Sequence, residues 1–266
     1  MILEKNSNFI TEHGIYSFLK KESIIQKIIV LEEIDSTNRF AKELAWQGEA
    51  EGTLIIANVQ NAGRGRMGRS FYSPAKQGIY MSIILRPHLS IEQSLRVTSC
   101  TAVAVARAIE KVSSLSAQIK WVNDVFVNGK KVCGILAEAG FSGDSIYLSH
   151  IVLGIGVNVG KMTFPVDLEN IATSIENEIG KKISREQLLA EIWNEFSILY
   201  RELEKGTFLK ECKERSLLLG KQIKVMVGTE SYIARAVDLN EEGHLIVEQA
   251  GKRIALQSGE VSVRLQ

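Results

Sequence analysis

Residues 61–74 read Asn-Ala-Gly-Arg-Gly-Arg-Met-Gly-Arg-Ser-Phe-Tyr-Ser-Pro, with Gly63, Gly65 and Gly68 interleaved with Arg64, Arg66 and Arg69. Glycines let a backbone approach a ligand closely, and arginines offer forked donors that match carboxylate and phosphate oxygens. Such a loop suits the holding of an anion, or of two anions brought together. Gly63 to Gly68 also spells the dinucleotide fingerprint, but that motif needs a helix directly after its glycines to receive the pyrophosphate. Here Ser70-Phe71-Tyr72-Ser73-Pro74 follows, which has turn chemistry, and no Gly-Lys-Ser/Thr ends the loop as in a Walker motif. A merely solvated basic turn fits poorly with three arginines packed among three glycines.

Four further groups carry chemistry. Lys120-Trp121-Val122-Asn123-Asp124 places a cation, an amide and a carboxylate at a strand exit, a candidate wall of a site. Lys131 reads equally as a surface lysine or as one that faces a site and neutralises a phosphate or carboxylate, with Cys133 two residues on and so expected on the same strand face. Gly134 beside them allows close approach, and Cys133 reads as a small buried hydrophobe. Gly154-Ile155-Gly156-Val157-Asn158 suggests a glycine-lined sheet surface under a flat ligand. Ser36-Thr37-Asn38 are helix caps by type, and equally three small groups able to grip a polar head group such as a urea.

The elements that must position these residues alternate. Ile28–Leu31 reads as a first strand, followed by N-caps at Asp35 to Asn38 and a helix through about Ala45. Thr53–Val59 is a strand that delivers Gln60 and the glycine loop, and Ile79–Leu85 is a third. A helical stretch spans Ile91–Val112. Ala117–Val122 is a strand, and Val125–Val127 joins Lys131–Glu138 through Asn128-Gly129, a hairpin signal. A second hairpin turns at Gly143-Asp144 into Ile146–Val157. Ser184 and Gln187 form a capping box that opens a helix with Leu188, Ile192, Phe196, Leu199 and Leu203 at core spacing. After Gly220 four short strands, Gln222–Val227, Tyr232–Asp238, His244–Gln249 and Arg253–Gln257, read as a small β-barrel of about fifty residues.

Composition sets the outer limits. The 266 residues are 45% hydrophobic and 24% charged, with a net charge of +1. That balance gives no support for a nucleic-acid surface. There is no membrane-length apolar run and no signal-peptide core. Cys100, Cys133 and Cys212 are odd in number and lack metal spacing, which fits reduced cytoplasmic thiols. His13, His88, His150 and His244 are scattered and form no zinc motif.

Taken in order, these motifs resemble the bacterial biotin protein ligases over nearly the whole chain, including Gly259-Glu260 near the C-terminus. The resemblance implies an α+β fold: a mixed β-sheet with packed helices plus a small C-terminal SH3-like barrel. The expected divisions are a short helical segment over 1–27, a catalytic biotin/ATP-binding domain over 28–218 and the barrel over 219–266. It implies that biotin is activated with ATP and Mg2+ to biotinyl-5′-AMP, then passed to a lysine of a biotin carboxyl carrier protein. Ser36, Thr37, Asn38 and Gln60 would take the biotin head group. Gly63, Arg64, Gly65 and Arg66 would close over biotin and phosphate, with Gly134 and Gly154 also on the biotin side. Arg69, Phe71, Asn123 and Asn158 would serve the nucleotide, together with Arg66 and Lys131. Lys131 would contact both the biotin carboxylate and the α-phosphate, and Asp124 would orient or deprotonate the incoming lysine; with Arg66, these form the implied catalytic set. No protein metal ligands are implied.

Many relatives have tryptophan where Phe71 stands and proline where Val122 stands. Bifunctional relatives carry an N-terminal DNA-binding domain, and only about 27 residues precede the first strand here. The expectation is a ligase without the repressor, with no DNA or membrane partner, acting as a monomer or homodimer in the cytoplasm. The competing readings are a lipoyl or octanoyl ligase or transferase of the same fold, with Cys133 as nucleophile, a biotin-responsive DNA regulator, and a non-catalytic biotin-binding module.

Overall fold

A computed structural model describes residues 9–87, 89–90, 93–94, 96–141, 148–257 and 261–265. Helix α1 (Glu12–Tyr16) is followed by β1 (Lys27–Ile34), α2 (Thr37–Trp46), β2 (Thr53–Gln60) and β3 (Gly78–Leu85). Then come α3 (Val97–Ser113), β4 (Gln118–Lys120), β5 (Asp124–Val127), β6 (Lys130–Phe141) and β7 (Leu148–Asn158). Helices α4 (Ile175–Ile179), α5 (Arg185–Tyr200) and α6 (Leu209–Glu214) precede the C-terminal strands. The first seven strands form one mixed sheet in the order β1-β2-β3-β7-β6-β5-β4. Only β1 and β2 run parallel, joined through α2, and their register sets Ile34 beside Gln60.

The two faces of this sheet have different fates. Leu54, Ile56, Ile83, Leu153, Ile155 and Val157 point into a large core shared with α3 and α5. The alternate residues Ile55, Ile84 and Val152 pack under Ala41 and Ala45 of α2, in a second, smaller core. Period-2 alternation therefore gives each strand two buried faces at the α2 end. Towards β6, beyond the reach of α2, the same face carries Gly134, Gly154 and Gly156, with Gly134 opposite Gly156 in the register. A sheet face paved with glycine and left without a helix makes a floor.

The sequence-based elements stand with shifted ends. The Asn128-Gly129 turn has φ of 49° and 78°, as a tight hairpin requires. Ser184 accepts from the Gln187 N–H at 3.1 Å and opens α5. The N-terminal segment departs from expectation, because among its described residues helix covers only Glu12–Tyr16. Beyond it, Asn194 and Ser197 of α5 accept the backbone N–H groups of Lys20 and Ile24 at 2.9 Å, so this stretch satisfies its backbone without a helix. Strand β4 is also shorter than expected, since residues 121–123 turn out of the sheet. The hairpin at Gly143-Asp144, His88, the start of the stretch at Ile91 and Gly259-Glu260 lie outside the described residues.

The C-terminal unit has β8 (Gln222–Val227), β9 (Glu230–Leu239), β10 (Leu245–Gln249), β11 (Lys252–Leu256) and β12 (Val261–Leu265), ordered β11-β10-β9-β8-β12. The fifth strand was not anticipated. Ile223, Val225, Ala236, Val247 and Val263 fill its interior and continue the main core. All three cysteines are buried and unpaired. No helix among the described residues is long and apolar enough to cross a membrane.

Candidate functional site

The glycine floor, the N-terminus of α2 and the arginine loop enclose one pocket. Its lining includes Ser36, Thr37, Asn38, Gln60, Arg64, Gly65, Arg66, Arg69, Phe71, Lys120, Asn123, Asp124, Lys131, Gly134, Gly154 and Gly156. Separate stretches of chain, from Ser36 to Gly156, thus meet around one space. The loop is an open turn: Phe71 donates its N–H to Gly63 O at 2.9 Å, Gly65 to Arg69 O at 2.7 Å, and Arg66–Gly68 forms a single 3-10 turn. Met67 holds φ of 55° at the exposed tip.

At one end lies a buried polar cluster. Ser36, Thr37 and Asn38 are almost fully buried at the start of α2. Ser36 is the N-cap but makes no side-chain capping bond, so its hydroxyl is not committed to the helix. Gln60 accepts from the Thr37 N–H at 2.9 Å, the contact that the β1–β2 register makes available. Gly154 is required beneath Asn38, because an added Cβ would lie 1.8 Å from Asn38 Oδ1.

At the other end stand the cations and an aromatic ring. Phe71 lies on the floor, where a Cβ at Gly156 would meet its ring at 2.6 Å, and packs edge-on against Tyr80 at 6.4 Å. Arg66 donates to Asn123 Oδ1 at 3.3 Å, and Asn123 Nδ2 donates to Ile135 O at 3.0 Å. Burial lowers the Arg66 pKa, Asp124 opposes that shift and Arg69 adds to it. Lys131 Nζ sits 2.6 Å from Asp124 Oδ1 as an ion pair, at an angle outside hydrogen-bond geometry. Clustered cations facing a partly closed pocket favour a ligand carrying several negative charges.

Of the residues named from sequence, Gly63 and Asn158 do not line the pocket. Gly63 is packed behind the loop, where a Cβ would lie 2.4 Å from Ser73 Oγ. Asn158 is buried further along β7, its Nδ2 bonded to Thr173 O at 3.1 Å and its Oδ1 without a partner. The expectation that Lys131 and Cys133 share a face is overturned. A bulge in the β5–β6 pairing matches Phe126 with Lys131 and Val125 with Cys133, which leaves Val132 as an extra residue. The alternation is reset, so Lys131 faces the pocket while Cys133 is sealed in the core, its thiol pKa pushed up by burial.

Residues missed from sequence include Ser82, Glu138 and Val263. Ser82 bonds to Asn38 and Thr37. Glu138 shares the strand face of Gly134 and Leu136, a two-residue spacing that was available as a signal. Val263 reaches the lining from the unanticipated fifth barrel strand.

Comparison with known proteins gives a consistent picture. The model of the Biotin/lipoate A/B protein ligase family matches residues 30–158, and that of the Biotin protein ligase C terminal domain matches 218–264. The chain is 36% identical over 251 residues to the bifunctional ligase/repressor BirA of Bacillus spizizenii, covering 92% of this chain and 77% of that protein. It is 30% identical to a biotin–[acetyl-CoA-carboxylase] ligase of Paracoccus denitrificans, covering 87% of this chain and 98% of that one. The structure of a biotin protein ligase from Aquifex aeolicus in complex with biotin and ATP superposes with a TM-score of 0.78, at 28% identity, covering 91% of this chain and all of that one.

Proposed function

The chain belongs to the biotin/lipoate A/B protein ligase family, and we propose that the pocket described above is where it activates biotin and passes it on. It is an ATP-dependent biotin protein ligase. The biotin carboxylate attacks the α-phosphorus of ATP, the bond to the bridging oxygen breaks, and pyrophosphate leaves. The ε-amine of an acceptor lysine then attacks the carbonyl of biotinyl-5′-AMP, sheds a proton and displaces AMP.

The observation that carries the site assignment is the division of one pocket into two ends. The uncharged, hydrogen-bonding end at Ser36, Thr37, Asn38 and Gln60 suits the ureido head of biotin. The cationic end at Arg66, Arg69 and Lys131 suits a carboxylate meeting a triphosphate, with Arg64 reaching over the head-group end. Attack of one anion on another is opposed by repulsion, and fixed cations in a sheltered site relieve it; losing one such contact costs about 3–4 kcal/mol. Lys131 is assigned to the point where carboxylate and α-phosphate meet. Its ion pair with Asp124 must open for that, which frees Asp124 to orient the acceptor lysine or take its proton. Phe71, on its glycine floor, is assigned to the base, with Asn123 and the unpartnered Oδ1 of Asn158 on the same side.

Magnesium would neutralise charge on the triphosphate. No group of three or more His, Cys, Asp or Glu is gathered among the described residues, and Asp124 is the carboxylate of the pocket lining. Such a donor set fits an ion held mainly by phosphates and water, with Asp124 as its protein contact. The acceptor is assigned as a biotin carboxyl carrier protein and the compartment as the cytoplasm. The test is biotin-dependent exchange of labelled pyrophosphate into ATP, with lipoate and octanoate in parallel. Exchange with biotin alone is expected; exchange with lipoate or octanoate instead would overturn the substrate assignment.

A further inference from the structure

Glu138, on β6, belongs to none of the motifs that mark this site, yet it touches both sides of the pocket. Its Oε2 accepts from Asn38 Nδ2 at 3.0 Å. Its Oε1 accepts from Lys42 Nζ at 3.1 Å and lies 3.6 Å from Arg64 NH1. One carboxylate therefore joins two positions of α2 to the first arginine of the glycine loop. Burial alone would raise its pKa, but the bonds from Asn38 and Lys42, with the charges of Lys42 and Arg64, bring it below the usual value of 4.5. It stays ionised at neutral pH.

An ionised carboxylate only accepts hydrogen bonds, and this settles the direction of its neighbours. Asn38 must turn its amino end to Glu138, with a longer contact to Leu136 O at 3.4 Å on the same side, which leaves its oxygen facing Ser82 Oγ at 2.6 Å. That oxygen also only accepts, so the single Ser82 hydroxyl proton is committed to Asn38. The Thr37 hydroxyl, with a single proton, lies between Ser82 Oγ at 2.8 Å and Gln60 Oε1 at 3.1 Å. Gln60 Oε1 receives the Thr37 N–H, so the Gln60 amino end is turned away from Thr37. The donors of Ser82 and Asn38 both point towards Glu138.

We propose that Glu138 is a positioning residue that fixes the donor and acceptor pattern of the head-group end and tethers Arg64 above it. The proposal rests on the reading of this pocket as the biotin site. A ureido ring offers two N–H donors and one carbonyl acceptor, so it is read correctly only by a site whose own donors and acceptors point one way. Glu138→Gln keeps the shape of the side chain but lets its amide donate or accept, so the chain can run in either direction. The 3.6 Å Arg64 contact is half exposed and contributes little by itself; the bond to Asn38 carries the effect.

The experiment measures pyrophosphate exchange for the unaltered protein and for Glu138→Gln. Biotin, desthiobiotin, which keeps the ureido ring, and 2-iminobiotin, which replaces its carbonyl with an imine, serve as substrates. The unaltered protein must exchange with biotin; if it does not, the site reading itself falls, separately from the role of Glu138. For Glu138→Gln the expected result is a KM for biotin raised about 10- to 100-fold, the range for a hydrogen bond to a charged group. The KM for ATP should be little changed, the preference for biotin over 2-iminobiotin reduced, and the ratio of biotin to desthiobiotin preserved. Equal rises in both KM values, or an unchanged preference over 2-iminobiotin, would overturn the proposal. Should Glu138→Gln fail to fold, Ser82→Ala breaks the same chain one link further on; it must show the same biotin-selective loss, and a normal KM for biotin there would also overturn it.

Discussion

The floor under the two ends of the pocket can be tested with a single methyl group at a time. At Gly154 an added Cβ would lie 1.8 Å from Asn38 Oδ1 and 2.7 Å from its Cγ. Asn38 cannot yield cheaply, because Ser82 holds its oxygen at 2.6 Å and Glu138 its nitrogen at 3.0 Å. Retreat by more than an ångström breaks one bond between neutral groups and one to a charge, together about 2–4 kcal/mol. Gly154→Ala should therefore lower kcat/KM for biotin by about 30- to 700-fold. At Gly156 the added Cβ meets the Phe71 ring at 2.6–2.9 Å, the far end of a side chain held by an edge contact to Tyr80. That ring can shift at a cost of about 0.5–1.5 kcal/mol, so Gly156→Ala should raise the KM for ATP by about 2- to 10-fold and spare biotin. The assay is initial-rate pyrophosphate exchange, titrating each substrate at saturating levels of the other. If Gly154→Ala leaves the KM for biotin unchanged, or both variants affect the two substrates alike, the division of the floor is wrong.

Cys133→Ser should turn over at near-normal rate, since the thiol is buried away from Lys131; abolished turnover would restore the transferase reading. Arg66→Gly should remove the link to Asn123 and release adenylate into solution faster, read by quenched single-turnover sampling; unchanged release would count against loop closure as the seal. Stability should fall in two stages on acidification. Burial, aided by Arg86 and Lys42, lowers the His150 pKa from 6.5, so the unfolded chain takes up that proton first and stability present above pH 6.5 is lost below it. Glu110, Glu138 and Glu211 lie below their usual 4.5, so their contribution is lost as pH falls from about 4.5. Denaturant midpoints against pH should show both stages, and His150→Gln should flatten the upper one alone; an unaltered upper stage would refute the assignment.

What the sequence made legible was chemistry carried by neighbouring residues. The Asn128-Gly129 turn, the Ser184 cap and the arginine–glycine loop each depend on local backbone rules, and all stand where they were expected. What escaped was set by partners far away. The bulge that separates Cys133 from Lys131 depends on the β5 register, and no count along β6 reveals it. Ser82 and Glu138 lie 44 and 100 positions from Asn38, and nothing but the fold makes them neighbours. The N-terminal segment offered helix-forming residues, but Asn194 and Ser197 took its backbone donors.

The small C-terminal unit illustrates why such distant contacts matter to the site. Lys120, Trp121 and Asn123 stand at the end of β4, a three-residue strand at the edge of the sheet. An edge strand of that length has too few ladder bonds to hold a wall in place by itself. Two tethers compensate. Ile119 exchanges backbone bonds with Arg215 and Leu217 at 2.8 Å, and the buried Trp121 donates its indole N–H to Gly243 O at 3.0 Å across 122 positions. Lys213 and Asp238 pair at 2.8 Å between α6 and the barrel, and Val263 completes the pocket lining. The barrel thus helps hold in place the wall on which Asn123 receives Arg66, so the cationic end of the pocket depends on Leu217, Gly243 and Val263 as well as on the sheet that supplies its floor.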